Sequence, residues 1–540
     1  MIRIAAAIAA LLLLTAATVP PRLEHRGRST QLIVDGKPFL MLGGELSNSA
    51  ASSAAHMAPV WPRLRAMSLN TVLAPVSWQL IEPDEGQFDF SSVDALLAGA
   101  RRNQLHLVLL WFGAWKNSMS SYAPSWVRRD QARFPRVQLP DGSGEEILSA
   151  FSPEVLSADR RAFVALLRHL KTVDAQQHIV LMVQVENEIG MLPTARDHGP
   201  LADRAYSGPV PAELTSYLAA RRATLVPSLR ERWEANGART SGSWEQVFGP
   251  GPATEEIFTA WYYALYVEAL TQAGKQAYPL PMYANVALNR PGKAPGEYPS
   301  GGPLPHLIDV WKAGAPSLDL LAPDIYFRNF TDIVARYDRS DNALFIPEQG
   351  RASMAELASN ALFAIGEHKA LGYSPFAVDE LSDPDATTLT QAYAVLAALP
   401  NIADAQAAGR IRGAKPPVAF DGRVDVRPQK LDLGAYRFNV DFIDPWSPRD
   451  KQQPEDHGVL ILQTGPEDYL IVGKDAVVTF MPLGEGPPIA GIDTAWEEVL
   501  ENGRLVRRRL LNGDETHQGR HIRLSRDGVS VQQVRLYRYR

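Results

Sequence analysis

The chain contains no cysteine among its 540 residues. That excludes a disulfide framework, and it excludes the lipid-modified cysteine that tethers a bacterial lipoprotein. It also lacks any Lys/Arg-rich run and any basic stripe interleaved with aromatics. With a formal net charge of −6, no nucleic-acid partner is expected. Histidine is sparse, 11 in all, and scattered. His-Glu-x-x-His is absent, and Glu367-His368 stands alone on a helical pattern that reads as a solvated face, so no metal site is expected. No Gly-x-Ser-x-Gly follows a strand, which removes the serine-hydrolase elbow, and no glycine-rich phosphate loop follows one either. No cofactor is expected.

What is there is the composition of a globular enzyme, 46% apolar and 21% charged, on a chain too long for one ordinary domain. The chain opens Met-Ile-Arg, and Ile4 to Thr15 is then an almost unbroken Ala/Leu/Ile stretch ending before Pro20-Pro21. This is the layout of a secretory signal peptide over residues 1–20, with a mature start near residue 18 and a secreted, periplasmic destination. A membrane anchor would need about 20 apolar residues, and the run stops short of that. No membrane anchor is expected.

Between about residues 30 and 405, short apolar β-rich runs alternate with longer amphipathic segments. The expected strands are Phe39-Leu42, Thr71-Pro75, Leu105-Trp111, Ile179-Val185, Pro281-Asn285, Leu318-Ile325, Leu344-Pro347 and Tyr373-Val378. Helical patterns such as Ser91-Asn103, Asp159-Val173, Glu255-Ala277, Met354-Leu371 and Thr387-Leu399 lie between them. Eight strands in that rhythm predict an α/β fold of the (β/α)8 barrel type. Gly409 to Pro417 reads as a linker. The remaining segment, 418–540, alternates apolar and polar residues between Gly and Asp-Gly turns, as in Tyr436-Phe442, Gly458-Gln463, Ala476-Phe480 and Val529-Tyr537, which predicts an all-β, sandwich-like domain. The Gly/Pro-rich loop from about Gly190 to Pro211 and the stretch Arg290-Pro305 follow strands four and five and are expected to wall a cleft.

Strand four ends Gln184-Val185-Glu186-Asn187-Glu188-Ile189-Gly190. Simple alternation puts Leu181, Val183 and Val185 on one face and Gln184, Glu186 and Glu188 on the other. Strand seven ends Ile346-Pro347-Glu348-Gln349-Gly350. Catalytic groups in such barrels sit at the C-terminal strand ends, where the βα loops form an open mouth. Either glutamate taken alone is as readily a surface salt-bridge partner. Two at matching strand ends, facing across a mouth, are the minimum equipment for cleaving a glycosidic bond: one protonates the departing oxygen while the other attacks or stabilises the anomeric carbon. The charge of Glu348 is expected to raise the pKa of Glu188 and keep it protonated.

The run Gln184 to Gly190 resembles the acid/base motif of glycoside hydrolase family 35, the β-galactosidase family. The resemblance extends through Trp61 to Val72, Val76-Ser-Trp78-Gln-Leu-Ile-Glu82-Pro83, Gly86 to Phe90, and Ala123-Pro124-Ser-Trp126-Val. It is strong up to residue 190 and looser beyond. It implies a retaining hydrolase acting on a β-galactoside, with Glu188 as general acid/base, Glu348 as nucleophile and Asn187 donating to the sugar 2-hydroxyl. Tyr326, ending strand six, is similar to a tyrosine that orients the nucleophile in this clan. It reads equally as a rim aromatic. Asn285 is a further candidate sugar contact, and equally a turn former. Trp78, like Trp111 and Trp115, is a candidate for stacking on a sugar face and equally core filler. The chain departs from the family pattern at Gln79, after Trp78, and in Trp111-Phe-Gly-Ala-Trp-Lys-Asn117, a segment that helps bind galactose hydroxyls elsewhere in the family. That rewriting points to a divergent member acting on galactosyl side chains of a polysaccharide such as xyloglucan. The alternatives are another retaining β-glycosidase of the clan (β-mannosidase, β-glucosidase or endo-glucanase) and a noncatalytic carbohydrate-binding protein. Oligomeric state is unreadable from the sequence.

Overall fold

The computed structural model describes residues 19–381 and 387–540. The expected signal peptide, except Val19 and Pro20, lies outside the described residues. An antiparallel sheet comes first: β1 (Arg22–Arg26), β2 (Ser29–Val34) and β3 (Lys37–Phe39). Eight strands then close a parallel barrel in sequence order: β4 (Met41–Glu45), β5 (Thr71–Ser77), β6 (His106–Lys116), β7 (Val180–Asn187), β8 (Met282–Ala287), β9 (Leu320–Ile325), β10 (Ile346–Arg351) and β11 (Gly372–Phe376). Helices follow the strands, among them α1 (Ser91–Arg102), α2 (Pro153–Asp174), α3 (Pro252–Ala277) and α4 (Leu357–Gly366). α2 begins on Ser152, whose hydroxyl accepts from the Val155 amide, with Pro153 in the first turn where no amide is needed.

Two layers of apolar side chains hold the barrel. Leu73, Val108, Leu110, Tyr283, Leu320 and Phe345 fill its interior, with Leu32 and Val34 of β2 packed among them. Their alternating neighbours, such as Val72, Leu109, Val183, Ala284 and Ile346, face the helices. The first expected strand is displaced: Phe39 pairs with Leu32 in the N-terminal sheet, and the barrel strand runs on to Glu45. Leu181 also departs from simple alternation. The register between β6 and β7 slips there (Leu107 opposite Val180, Val108 opposite Met182), which carries Leu181 into the interior cluster, away from Val183 and Val185.

The segment read as a linker is structured. Ile411–Ala414 is β12, and it pairs antiparallel with β15 (Gly458–Gln463). It opens a six-stranded sheet that faces a four-stranded sheet built from Gln429–Leu433, Tyr436–Asp441, Val477–Pro482 and His521–Arg523. β15 shows why two sheets form: Val459 and Ile461 point into the core between the sheets, while Leu460 and Leu462 join the core shared with the barrel. No helix among the described residues is long and apolar enough to cross a membrane.

Candidate active site

The C-terminal strand ends carry a cluster of charge that a barrel interior otherwise excludes. Glu45 ends β4, Lys116 ends β6, Asn187 ends β7 with Glu188 next, Asn285 and Asp324 stand near the ends of β8 and β9, and Glu348 lies on β10. All seven are at most 6% exposed. Glu188, Asp324 and Glu348 each present a carboxylate oxygen within 4.8 Å of the other two.

The backbone from Glu186 to Glu188 breaks the strand period. Glu186 and Glu188 both have positive φ, 63° and 45°, in the left-handed region that costs a residue with a Cβ roughly 1–2 kcal/mol. Asn187 and Glu188 therefore both join the pocket, and Glu186 turns out of the row that alternation predicts. Its carboxyl lies behind the pocket, where Oε2 accepts from the Trp115 amide at 2.8 Å. Beside it is Asp159 of α2, which accepts from Trp111 Nε1 at 2.9 Å and from the Tyr266 hydroxyl at 2.8 Å. Burial, then the charge of Asp159, pushes the Glu186 carboxyl well above its usual range, which favours its neutral form as a hydrogen-bond partner of Asp159. Gly113 permits this packing, since a Cβ there would meet Trp111 Nε1 at 2.3 Å and Glu186 Oε1 at 2.6 Å. Glu186→Gln, which keeps a donor and an acceptor in place, is expected to retain fold and activity. Glu186→Ala is expected to lower the melting temperature and the rate together, as read by calorimetry and initial rates.

Three side-chain contacts fix the groups at the C-terminal strand ends. The Glu188 amide donates to Asn285 Oδ1 at 2.9 Å, and Asn285 Nδ2 donates to Asp324 Oδ2 at 2.6 Å. The Tyr326 hydroxyl donates to Glu348 Oε1. The amides of Asn117 and Ser118 donate to the carbonyls of Asn187 and Glu188 at 3.2 and 3.1 Å, strapping the end of β6 to the turn at Glu188. Among these carboxyls, both polar atoms of the Asn187 amide are buried with no partner within the protein. A cluster of that kind suits a ligand rich in hydroxyls.

Electrostatics divides the carboxyls. Burial first, then neighbouring carboxylates, pushes Glu45 and Asp324 well above the ordinary range. Both are shifted toward the neutral form, Asp324 hydrogen-bonded to Glu188 and Glu45 to Glu348. Glu188 is raised by burial, opposed by Lys116 and by the Asp324 hydrogen bond. The rise comes from burial rather than from the charge of Glu348 that the sequence suggested. Glu348 is pushed up to about 7 by burial and then by Glu188, opposed by Lys116, Tyr326 and Glu45. The two carboxyls titrate as a pair, with the Tyr326 donor favouring the charge on Glu348. Lys116, in the segment that departs from the family pattern, lowers Glu45, Glu188 and Glu348 alike. Removing its charge by Lys116→Met should move the acidic limb of the kcat/KM profile to higher pH, measured on any substrate that is turned over.

Asn187, Asn285 and Tyr326 therefore join the two glutamates. Trp78 does not. It is 0% exposed, its indole donates to Glu82 Oε2 at 3.0 Å, and its ring packs edge-on against Trp126. The reading of Trp78 as a sugar platform is corrected to a core residue, and Trp111 and Trp115 are equally buried. Sequence reading missed Glu45, Lys116 and Asp324. The first followed from placing strand one too early. Asp324 stood inside the expected strand six, on the same face as Ala322 and Tyr326, and that alternation was a usable signal. The two loops expected to wall the cleft meet at Met191 and Ser300, which exchange backbone hydrogen bonds.

A β-galactosidase family model matches residues 58–264, and a model of a domain of unknown function, DUF5597, matches residues 389–523. A β-galactosidase of Xanthomonas manihotis is 30% identical over 201 residues, which is 36% of this chain and 31% of that protein. The chain thus spans under a third of that relative's length. Solved structures superpose more loosely. The cold-adapted β-galactosidase of Rahnella sp. R3 is 16% identical, with a TM-score of 0.44 over 67% of this chain and 57% of that one. The catalytic domain of a Paenibacillus polymyxa β-amylase is 12% identical, with a TM-score of 0.43 over 64% and 94%. The barrel itself rests on the closed strand order above. Over residues 58–264, the run that carries Asn187 and Glu188, this chain is similar to β-galactosidases.

Proposed function

We propose that the protein is a retaining glycoside hydrolase that releases terminal, non-reducing β-D-galactose from an oligo- or polysaccharide by double displacement. One observation carries the reading: the facing carboxylate oxygens of Glu188 and Glu348 lie within 4.8 Å. Attack by a carboxylate on the anomeric carbon needs carboxyls about 5–5.5 Å apart, whereas an inverting pair leaves about 6.5–9.5 Å for a water. Glu348, steadied by the Tyr326 hydroxyl, attacks the anomeric carbon while Glu188 gives its proton to the departing oxygen. The covalent ester takes up the Glu348 carboxylate, and Glu188, now without its proton and beside the Lys116 cation that favours its charged form, deprotonates the incoming water. The unpartnered Asn187 amide serves the sugar 2-hydroxyl. Galactose as the sugar rests on the relatives' names. A xyloglucan side chain as its source rests on the rewritten Trp111–Asn117 segment, and export to the periplasm rests on residues 1–20.

The test is a panel of aryl β-glycosides followed by proton NMR. The galactoside should be cleaved fastest, with the β anomer appearing first. Appearance of the α anomer first would remove the retaining mechanism. Preference for a mannoside or glucoside would keep the mechanism and change the sugar. Sugar binding without turnover of any glycoside would leave a noncatalytic carbohydrate-binding protein.

A further inference from the structure

A second cavity, of about 130 Å³, adjoins the catalytic pocket through Tyr326. It lies between the barrel and the C-terminal sheets. One wall is the loop Tyr326 to Arg328, its floor includes Gln349 and Asn360 of α4, and its far side includes Lys415 and the turn from Val418 to Val424. That turn is a small hairpin: Val418 and Val424 bridge, and the Ala419 amide donates to the Arg423 carbonyl at 2.8 Å. Gly422, with φ of +87°, lets Arg328 lie against it, since a Cβ there would meet the guanidinium at 2.6 Å. The hairpin and the loop are thereby locked together.

The lining has two parts. Tyr326, in the lining, is 48% exposed; Phe420, at the neighbouring hairpin tip outside it, is 43% exposed, and Phe327 of the lining packs edge-on against Phe420 with centroids 5.2 Å apart. Two large rings left open on one rim, backed by a third, form an apolar platform of the kind that stacks on a sugar face. Beneath them are polar groups buried within the wall. Asn360 is 2% exposed and its Oδ1 has no partner. Lys415, 3% exposed, donates to Ser359 Oγ at 3.1 Å and to the Glu455 carbonyl at 2.5 Å, which leaves the third of its three ammonium protons. Its pKa is lowered by burial to about 8. A neutral ligand with many hydroxyls answers an aromatic rim over a buried amide and ammonium.

We infer that this cavity is a saccharide subsite for the leaving group, built jointly by the barrel loop and the C-terminal hairpin. The inference rests on the proposed function in one respect: when the terminal sugar fills the carboxylate pocket, whatever extends past Tyr326 is the rest of the substrate. The C-terminal domain then selects the oligosaccharide that carries the terminal sugar.

Two substrates separate the pockets. β-Galactosyl fluoride has a one-atom leaving group and cannot occupy the cavity, whereas a galactosylated xyloglucan oligosaccharide fills it. Phe420→Ala and Arg328→Ala should each lower kcat/KM for the oligosaccharide at least tenfold and leave the fluoride within about twofold, with unchanged melting temperature. Equal effects on both substrates, or none on either, would overturn the subsite. Binding is read in parallel by titrating the oligosaccharide into the Glu348→Gln protein with and without each change. If the wild type hydrolyses neither substrate but binding is lost in the two variants, the subsite stands and the hydrolase reading falls. If binding survives in both variants, the subsite falls whatever the activity.

Discussion

Glu348→Gln is expected to abolish turnover of an aryl β-galactoside by several orders of magnitude while the protein still folds and binds sugar. The amide is nearly isosteric and keeps an acceptor for the Tyr326 hydroxyl, so loss of structure is not the cause. What disappears is the nucleophile that splits one difficult displacement into two easier ones. A sharper version uses Glu348→Ala with azide. The shortened side chain opens the face from which Glu348 attacks, and azide entering there produces an α-galactosyl azide, with the configuration inverted. Full activity in the Gln variant, or recovery of the β azide from the Ala variant, would show that the attacking group is elsewhere.

Glu188 gives the second large effect, with a different signature. Glu188→Ala should slow substrates with poor leaving groups by roughly 10²–10⁴-fold, the usual worth of positioned acid/base catalysis. It should affect galactosyl fluoride far less in the first step, because fluoride departs without a proton. Azide then intercepts the ester on Glu348 and yields the β azide, with the configuration retained. Opposite azide anomers from the two variants, read by NMR, assign the two roles independently. An equal loss on all substrates, insensitive to azide, would reduce Glu188 to a structural group of the β7 turn.

The barrel was legible because its strands are short, apolar and fully buried, and each is followed by a helix-length amphipathic run. Boundary errors are instructive. β4 was placed early because Lys37–Phe39 is itself a strand, and the pattern of two strands end to end reads as one. Strand alternation assumes negative φ throughout, so it could not foresee that Glu186 and Glu188 adopt the left-handed region and exchange which residues face the pocket. The Trp78 error has a simpler cause: a tryptophan near a strand end serves a rim or a core equally well in sequence, and burial decides. Lys116 was hidden for the opposite reason. A lone lysine in a rewritten segment looks like surface, and only the fold shows it 6% exposed beside the carboxylates. Ile411–Ala414 failed as a strand because four residues among Arg, Gly and Pro give no period to read.

α4 follows the strand that carries Glu348, and all ten of its residues are buried. The barrel covers part of it, and β12 and β15 of the six-stranded sheet cover much of the rest. The contact is close: Gly458 is needed because a Cβ would meet Ser359 at 2.7 Å, and Arg412 grips Glu367 through two hydrogen bonds of 2.8 and 2.7 Å. A helix with no solvent face has no stable existence on either side alone. The seam between the two architectural halves is therefore not a seam in folding: heat should melt them together in one transition, and a gene fragment ending after the last barrel helix would yield an insoluble product.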